Sequence, residues 1–310
     1  MVLVSKKING RRYYYSFLSY FLIDRSRSFS KYIGNREPLK EALRRIEKNF
    51  REELILRLSG HRYSSLLVSS DDVIKMLLFN EAFTKKYSKL SALQRRKYDI
   101  DSTVSFTLTT LTTEDVDVSI SDVRNAMNGL PKPTGKERIS RNMLKAVESI
   151  KERKKLDKKY LLALHRTIMA NFETKTPGKI RARQVYLHIR DESGGSKEIR
   201  YRPPSHDVME KMLNEFLAWY NSSTLNPLEK AAIAHYRLYM IHPFLDGNKR
   251  MCRLVFNKTL IDCGFPIINV SVDRDKYFDA LAFSVQNGRP AVFVGFCISQ
   301  YYKQVKKFLK

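Results

Sequence analysis

Apolar residues spaced three and four apart recur over most of this 310-residue chain, and that spacing commits it to a mainly helical fold. Leu39, Leu43, Ile46, Phe50 and Leu54 form one stripe, in a helix expected from about Glu37 with Pro38 in its first turn. Val73, Ile74, Leu77, Leu78 and Tyr87 form another and predict a helix from Asp71 to about Leu93. Leu161 to Phe172, Val208 to Tyr220 and Leu228 to Ile241 repeat the pattern. Two stretches break it. Tyr13, Tyr15, Phe17, Phe21 and Ile23 occupy alternate positions, interrupted only by Ser19, and a period of two puts them on one face of a strand. Asn9-Gly10 is a turn before this run and Gly34-Asn35 closes it, so residues 1–35 read as a small β-module. Gln184 to Arg190 and Lys197 to Arg202 read as two short strands joined by Ser193-Gly194-Gly195-Ser196, a hairpin inside a helical region.

The expected organisation is therefore a β-module at 1–35, linking helices at 36–100 and a larger helical part at 101–310. A Ser/Thr-rich stretch opens that last part, and Pro131-Lys132-Pro133-Thr134-Gly135 is a loop within it. Lys and Arg number 57 against 32 Asp and Glu, a formal charge of +25. A field of that sign favours polyanions: nucleic acid, an acidic membrane, nucleoside triphosphates or an acidic protein. Residues 1–100 are denser in charge, with 22 basic and 10 acidic side chains. A basic β-module with exposed aromatics can bind nucleic acid; the same composition also fits a solvated surface around a small apolar core, and no base-reading motif decides. Cys252, Cys263 and Cys297 lack CxxC spacing, which excludes a disulfide framework and a cysteine zinc site and fits a reducing cytosol. The apolar run Tyr13 to Ile23 is too short to span a membrane, and no small-residue cleavage site follows it. A soluble, cytoplasmic protein without membrane contact is expected, with homo-oligomerisation left open.

Chemistry concentrates in Ile241-His242-Pro243-Phe244-Leu245-Asp246-Gly247-Asn248-Lys249-Arg250-Met251-Cys252-Arg253. One helix should end near His242, and a new one should start at about Asn248 and run to Gly264. A helix start offers unpaired N–H groups and a positive dipole end to an anion, and Gly247 allows close approach. Arg250 and Arg253, three apart, share a face that can reach phosphates. Asp246 supplies an oxygen for Mg²⁺, and His242 has the pKa range of a general base. Together they outline phosphoryl or nucleotidyl transfer.

These residues resemble the Fic family signature, H-x-F-x-[DE]-G-N-G-R-x-x-R. His242, Phe244, Asp246, Gly247, Asn248, Arg250 and Arg253 match it, and Lys249 stands where the family usually has Gly. Ala234-His235-Tyr236, Pro177-Gly178-Lys179-Ile180-Arg181 and the run Asp275 to Leu281 extend the likeness, which covers roughly Ser102 to Lys310. The first 35 residues also resemble the β-module preceding some archaeal Fic domains. The resemblance implies a helical Fic-type core with a β-hairpin flap. It implies Mg²⁺-dependent transfer of AMP from ATP to a hydroxyl of a target protein. His242 would be the base, Asp246 the magnesium ligand, and Gly247, Asn248 and neighbouring amides the anion hole, with the Asn248 side chain taking part. Arg250 and Arg253 would hold the outer phosphates, with Lys249 beside them, while Phe244 packs into the core. The hairpin residues Gln184, Val185, Tyr186, Leu187 and His188 would dock the target by strand addition.

Two departures bear on this. The related Doc toxins have Ala-Asn-Lys-Arg where this chain has Gly247-Asn248-Lys249-Arg250, and they transfer phosphate, so a Doc-like phosphotransferase is the alternative. A nucleotide- or nucleic-acid-binding regulator without catalysis is an alternative of another class. Many Fic proteins also carry an inhibitory [ST]-x-x-x-E-[GN] helix whose Glu pairs with the second motif Arg. Its counterpart is expected within 102–114, at Thr103 to Leu108, with Thr107 where Glu belongs. A neutral Thr cannot make that pair. Arg253 should then be free for nucleotide, and glutamate-type inhibition absent or supplied by Glu114. His235 and His165 are expected as packed core residues, and Tyr277 as core or as a wall beside the adenine.

Overall fold

A computed structural model describes residues 2–129, 134–152, 154–170, 172–190 and 198–310 (at 173, 188–190 and 198–200, the backbone alone). They divide into two compact units. One comprises Met1–Lys89, Thr224–Asn226 and Tyr302–Lys310; the other comprises Leu90–Ser223 and Pro227–Tyr301.

The first unit opens with an antiparallel sheet in the order β1 (Val2–Ile8), β2 (Arg11–Phe21), β3 (Ser26–Gly34). Asn9 and Gly10 turn β1 into β2 with φ of 48° and 80°, the left-handed pair a two-residue hairpin requires. The alternation splits the sheet in the direction opposite to a simple apolar-inside rule. Tyr14, Ser16, Leu18 and Tyr20 are buried, whereas Tyr13, Tyr15 and Phe17 are half-buried and Phe21 is exposed. The buried face lies against α1 (Lys40–Ser59) and α2 (Ser70–Lys89): the Tyr20 hydroxyl donates to Asp71 at 2.6 Å, and Lys31 and Arg27 pair with Glu53 and Glu81. Helix α1 starts at Lys40 rather than Glu37, because a residue preceding proline is driven out of the helical region.

The stripe expected to run from Asp71 to Leu93 is two helices. Helix α2 stops at Lys89, and Ser91 begins α3 (Ala92–Thr112) with a capping box: its hydroxyl accepts from the Gln94 N–H and its own N–H donates to the Gln94 side chain. Helix α3 crosses residues 100–101 unbroken, so the expected boundary there falls inside a helix and the contact boundary lies at Leu90. The Ser/Thr-rich stretch is the end of that helix.

In the second unit α4 (Ile120–Asn128), α5 (Gly135–Lys151) and α6 (Lys158–Ile168) precede the hairpin β4 (Leu187–Arg190) and β5 (Glu198–Tyr201). Helices α7 (His206–Ser222), α8 (Pro227–Ile241), α9 (Asn248–Asp262), α10 (Arg274–Asn287) and α11 (Ala291–Leu309) follow, the part of α11 from Tyr302 on belonging to the first unit. Thr134 caps α5, while residues 131–133 of the expected loop lie outside the described residues. Helix α9 is buried almost all round, the mark of a central helix; Met251, Leu254, Val255, Phe256 and Leu260 are sealed from solvent, each worth about 1.5–3 kcal/mol of burial. It packs on α8, α5 and α3, and its first turn therefore sits at the end of a rigid core.

The hairpin pairs Leu187 with Tyr201 and Ile189 with Ile199. Pairing begins at Leu187, so Gln184, Val185 and Tyr186 precede the strand rather than belong to it; residues 191–197, with the expected turn, lie outside the described residues, as does the His188 side chain. Gln184 ties the base of the hairpin, donating through Nε2 to the carbonyls of Val185 (3.0 Å) and Pro203 (2.7 Å). No helix among the described residues is long and apolar enough to cross a membrane.

Candidate active site

The site is the turn between α8 and α9. Helix α8 ends at Ile241, and His242 takes φ of 49°, a left-handed conformation that a histidine adopts only when its surroundings impose it. They do so from two sides. The His242 N–H still donates to Leu238 O at 3.0 Å, and the buried Arg181 guanidinium donates to His242 O at 2.8 Å. Arg181 also reaches the carbonyls of Arg183 and Pro204, which flank the hairpin, and its N–H donates to Pro243 O. One buried cation thus binds the imidazole's backbone to both ends of the flap.

The imidazole is 6% exposed, edge-on to the Tyr239 ring. Its Nδ1 lies 3.3 Å from Tyr239 O; a carbonyl only accepts, so the proton sits on Nδ1 and Nε2 keeps its lone pair. Burial pushes its pKa down to about 4, with Arg181 and Lys249 adding repulsion, so at neutral pH the ring is uncharged and its Nε2 lone pair is available.

The loop behind it is held from within. Phe244 is fully buried and stacks on His165, with ring centroids 3.7 Å apart. His165 accepts the Gly178 N–H at Nδ1 (2.9 Å), so its Nε2–H is the donor to Asp246 O at 3.0 Å. Asn248 grips Phe244 twice, accepting its N–H at 3.0 Å and donating to its carbonyl at 2.8 Å. Asn248 thus spends one amide N–H and one oxygen lone pair on the loop, and its second N–H is not used by Phe244. Gly247 caps α9 at φ 76°, and a Cβ there would come within 2.9 Å of Met169 Sδ. The left-handed φ favours glycine at this position, and the Met169 thioether leaves little room for a Cβ.

Asp246 is 40% exposed at the rim. Its Oδ1 accepts the Gly247 N–H at 2.6 Å and lies 3.4 Å from Arg250, while Lys175 is 4.0 Å from Oδ2. No cluster of three metal-ligating side chains occurs among the described residues. Arg250 and Arg253 are buried, and each keeps an Nε–H without a partner among the described residues.

Arg253 departs most from expectation. It is not free: its guanidinium donates to Glu114 Oε1 and to Thr110 O, both at 2.9 Å, and contacts the Tyr277 hydroxyl at 3.4 Å. Glu114 follows directly on α3, where Asp115 at φ 57° reverses the chain and aims the carboxylate inward. Lys249 completes the clamp from 3.4 Å, its ammonium also lying over the Phe278 ring. Burial alone would raise the Glu114 pKa, but Arg253 and Lys249 outweigh it and hold the carboxyl below the usual carboxylate range. Thr107 is corrected as the regulatory position. It is buried two turns earlier on α3, its hydroxyl unpartnered among the described residues. The pattern [ST]-x-x-x-E begins at Thr110, with Asp115 in place of Gly or Asn.

A model of the Fic/DOC family matches residues 155–260, which include the whole loop. This chain carries a Fic/DOC family domain. Protein adenylyltransferase fic-1 of Caenorhabditis elegans is 34% identical over 125 residues, 39% of this chain and 22% of that protein. Protein adenylyltransferase Fic of Drosophila melanogaster is 36% identical over 145 residues, 45% of this chain and 27% of that one. The chain thus spans about a quarter of the length of the curated relatives it matches. A Fic domain-containing signaling protein of Bacteroides thetaiotaomicron has the same fold, with a TM-score of 0.66 at 19% identity over 76% of this chain and 95% of that one. Fic-1 of C. elegans superposes with a TM-score of 0.61 at 21% identity over 86% of this chain and 84% of that one.

The Fic domain has supports that sequence reasoning passed over. His165, expected as a core residue, is sealed in but serves the loop directly. Arg181 appeared only as part of a likeness; with Lys179 and Arg183 two positions to either side, nothing in its local pattern marks it as the buried one. His235 is core as expected, with Nε2 2.9 Å from the Tyr277 hydroxyl, and Tyr277 is buried against Arg253.

Proposed function

We propose that this chain transfers AMP from ATP to a Ser, Thr or Tyr hydroxyl of a target protein. The observation that carries the reading is His242, a neutral imidazole with a lone pair on Nε2, beside a loop whose two buried arginines each retain an unpartnered Nε–H. The relatives named protein adenylyltransferases support the same reaction class. In the proposed step the target hydroxyl oxygen attacks the α-phosphorus of ATP. The new O–P bond forms as the bond from that phosphorus to the bridging oxygen breaks; pyrophosphate leaves, and the hydroxyl proton passes to His242 Nε2. The first amides of α9, with Lys249, Arg250 and Arg253, would hold the phosphates, and Gly247, whose own N–H goes to Asp246, would let them approach the backbone closely.

Asp246 fits a magnesium site: a single rim carboxylate, one oxygen of which faces only a distant lysine, matches the one or two carboxylates that Mg²⁺ takes alongside substrate phosphates. Bound there, the ion would neutralise phosphate charge. The edge of the hairpin from Leu187 would align the target backbone by strand pairing, with Gln184 fixing its base. Glu114 would act as a brake, because the Arg253 guanidinium it occupies is the one an outer phosphate needs.

The test is incubation with ATP labelled at the α- or the γ-phosphate, comparing the intact chain with His242→Ala. Label arriving on protein from the α position alone, and lost in the variant by about 10²–10⁴-fold, is the expected result. Label from the γ position alone would make the chain a Doc-like phosphotransferase.

A further inference from the structure

We propose that the outer face of the N-terminal sheet is a binding platform for single-stranded nucleic acid. The two faces of this sheet differ in how their charges are answered. On the inner face Arg27 and Lys31 are matched by Glu81 and Glu53 of the helices beneath, and only Lys7 and Arg12, beside the first turn, lack an acidic partner among the described residues. The register sets Lys6, Arg11, Tyr13, Tyr15, Phe17 and Tyr32 on the other face, where no acidic residue of the three strands lies. Residues 1–36 hold eight Lys and Arg and one carboxylate, Asp24, in the turn between β2 and β3. Neither Lys6 nor Arg11 forms an ion pair among the described residues.

The aromatic rings on that face are presented rather than packed away. Tyr32 is 54% exposed, and its ring lies 5.5 Å from Tyr15 and 6.1 Å from Tyr13, tilted by about half a right angle to each. The Lys6 ammonium hangs 5.3 Å from the Tyr15 ring and 5.8 Å from the Phe17 ring. Ser19, Ser26, Ser28 and Ser30 occupy the other half of the face, with Ser28 bonded to Ser19 at 3.1 Å. Exposed rings for bases to stack on, uncompensated cations for the phosphates and hydroxyls for base edges or sugars are the combination that binds single strands without strict sequence choice. A second copy of this chain is a poorer occupant, since face-to-face pairing would set Lys6 and Arg11 against the same cations with no carboxylate between them. This inference is independent of the transferase reading.

The experiment is fluorescence anisotropy of the full chain with a labelled thymidine oligonucleotide and its uridine counterpart, each against the matching duplex over a salt series. Single strands should bind more tightly than duplex, and the DNA and RNA arms report which sugar the face takes. Tyr32→Ala and Tyr15→Ala should each weaken binding roughly tenfold, Tyr32→Phe should retain it, and Lys6→Ser should lower the log–log salt slope by about one. Tyr32 is exposed, so its variants keep the fold, as circular dichroism will record. Binding that depends on salt but is indifferent to Tyr32→Ala and Tyr15→Ala would overturn the proposal in favour of diffuse attraction to a basic protein. So would the absence of oligonucleotide binding together with concentration-dependent self-association abolished by Tyr32→Ala, which would give the face to a second copy.

Discussion

In the loop from His242 to Arg253 the side chains of His242, Asn248, Arg250 and Arg253 are buried and each is bonded to a neighbour, while Asp246 and Lys249 reach the rim; on the outer face of the sheet the cations lie over rings or in water. Asn248 is committed to Phe244, His165 to Asp246 and Gly178, Arg181 to His242, and Arg253 to Glu114. Lys6 and Arg11 are committed to no carboxylate among the described residues. Apart from the Arg253–Glu114 pair, the loop is preorganised, because its groups are oriented before a ligand arrives and little reorganisation remains for the reaction. The sheet face has adaptable groups, suited to a ligand recognised by stacking and charge. Substitutions should therefore be expensive in the first region and cheap in the second, and pH should act on the first alone.

The largest effect expected is acid lability confined to the Fic domain. Burial lowers the pKa of His165 and His242 to about 4, and that of His235 well below its ordinary 6.5. Each ring stays neutral in the folded chain and takes up a proton once unfolded. Between pH 6.5 and 4 the unfolded state therefore binds more protons, and stability falls as pH falls, by up to about 1.4 kcal/mol per pH unit for each ring. Above pH 6.5 these rings add no slope. Hydrogen exchange at pH 5.5 should be faster in α8 and α9 than at pH 7.5 after correction for intrinsic rates, and unchanged in β2, which lies in a stretch without histidine. Equal acceleration in both would erase the contrast.

Next in size is the clamp on Arg253. Glu114→Gln removes the charge that Arg253 and Lys249 share, and a hydrogen bond to a charged partner is worth about 1.5–3 kcal/mol. Modification of protein by α-labelled ATP should rise roughly ten- to hundredfold. An unchanged rate would mean that Thr110 O and the Tyr277 hydroxyl suffice to hold the arginine. Because the Glu114 carboxyl titrates below the usual carboxylate range, this brake should be independent of pH from 6 to 9.

A third effect lies in the backbone. Gly247→Ala places a Cβ on a left-handed residue and against Met169, and should lower stability by about 1–2 kcal/mol. Met169→Ala in the same chain would relieve the contact but not the conformation, so only partial recovery of the thermal midpoint is expected.

Much of this was legible in the sequence, for different reasons in the two regions. Helical spacing located α7 and α8 to within a few residues, and the Asn9-Gly10 turn placed the first hairpin. The loop was legible by residue identity, since His, Asp, Gly, Asn and two Arg within twelve positions leave few other uses. The partners of those residues were not. Arg253 and Glu114 are 139 positions apart, and no local periodicity reports which carboxylate a folded chain brings to a buried arginine. Nor could spacing show that the hydroxyl of Thr107 points into a core. The sheet was misleading in another way: alternation identifies two faces but not which one is packed, and the more aromatic set proved to be the open one.

The smallest effect follows from that last point and bears most directly on the contrast. Phe21 is 63% exposed at the end of β2, paired with Ser26 across the turn, so replacing it by a polar residue removes little buried area. Phe21→Ser should change stability by no more than about 0.5 kcal/mol, the range of ordinary surface substitutions. A denaturation curve that instead shifted by more than 1 kcal/mol would mean the ring is covered in solution, since an exposed phenyl group has no burial free energy to lose. The outer face would then be an internal surface of a larger assembly, and its cations, no less than those of the loop, would have partners.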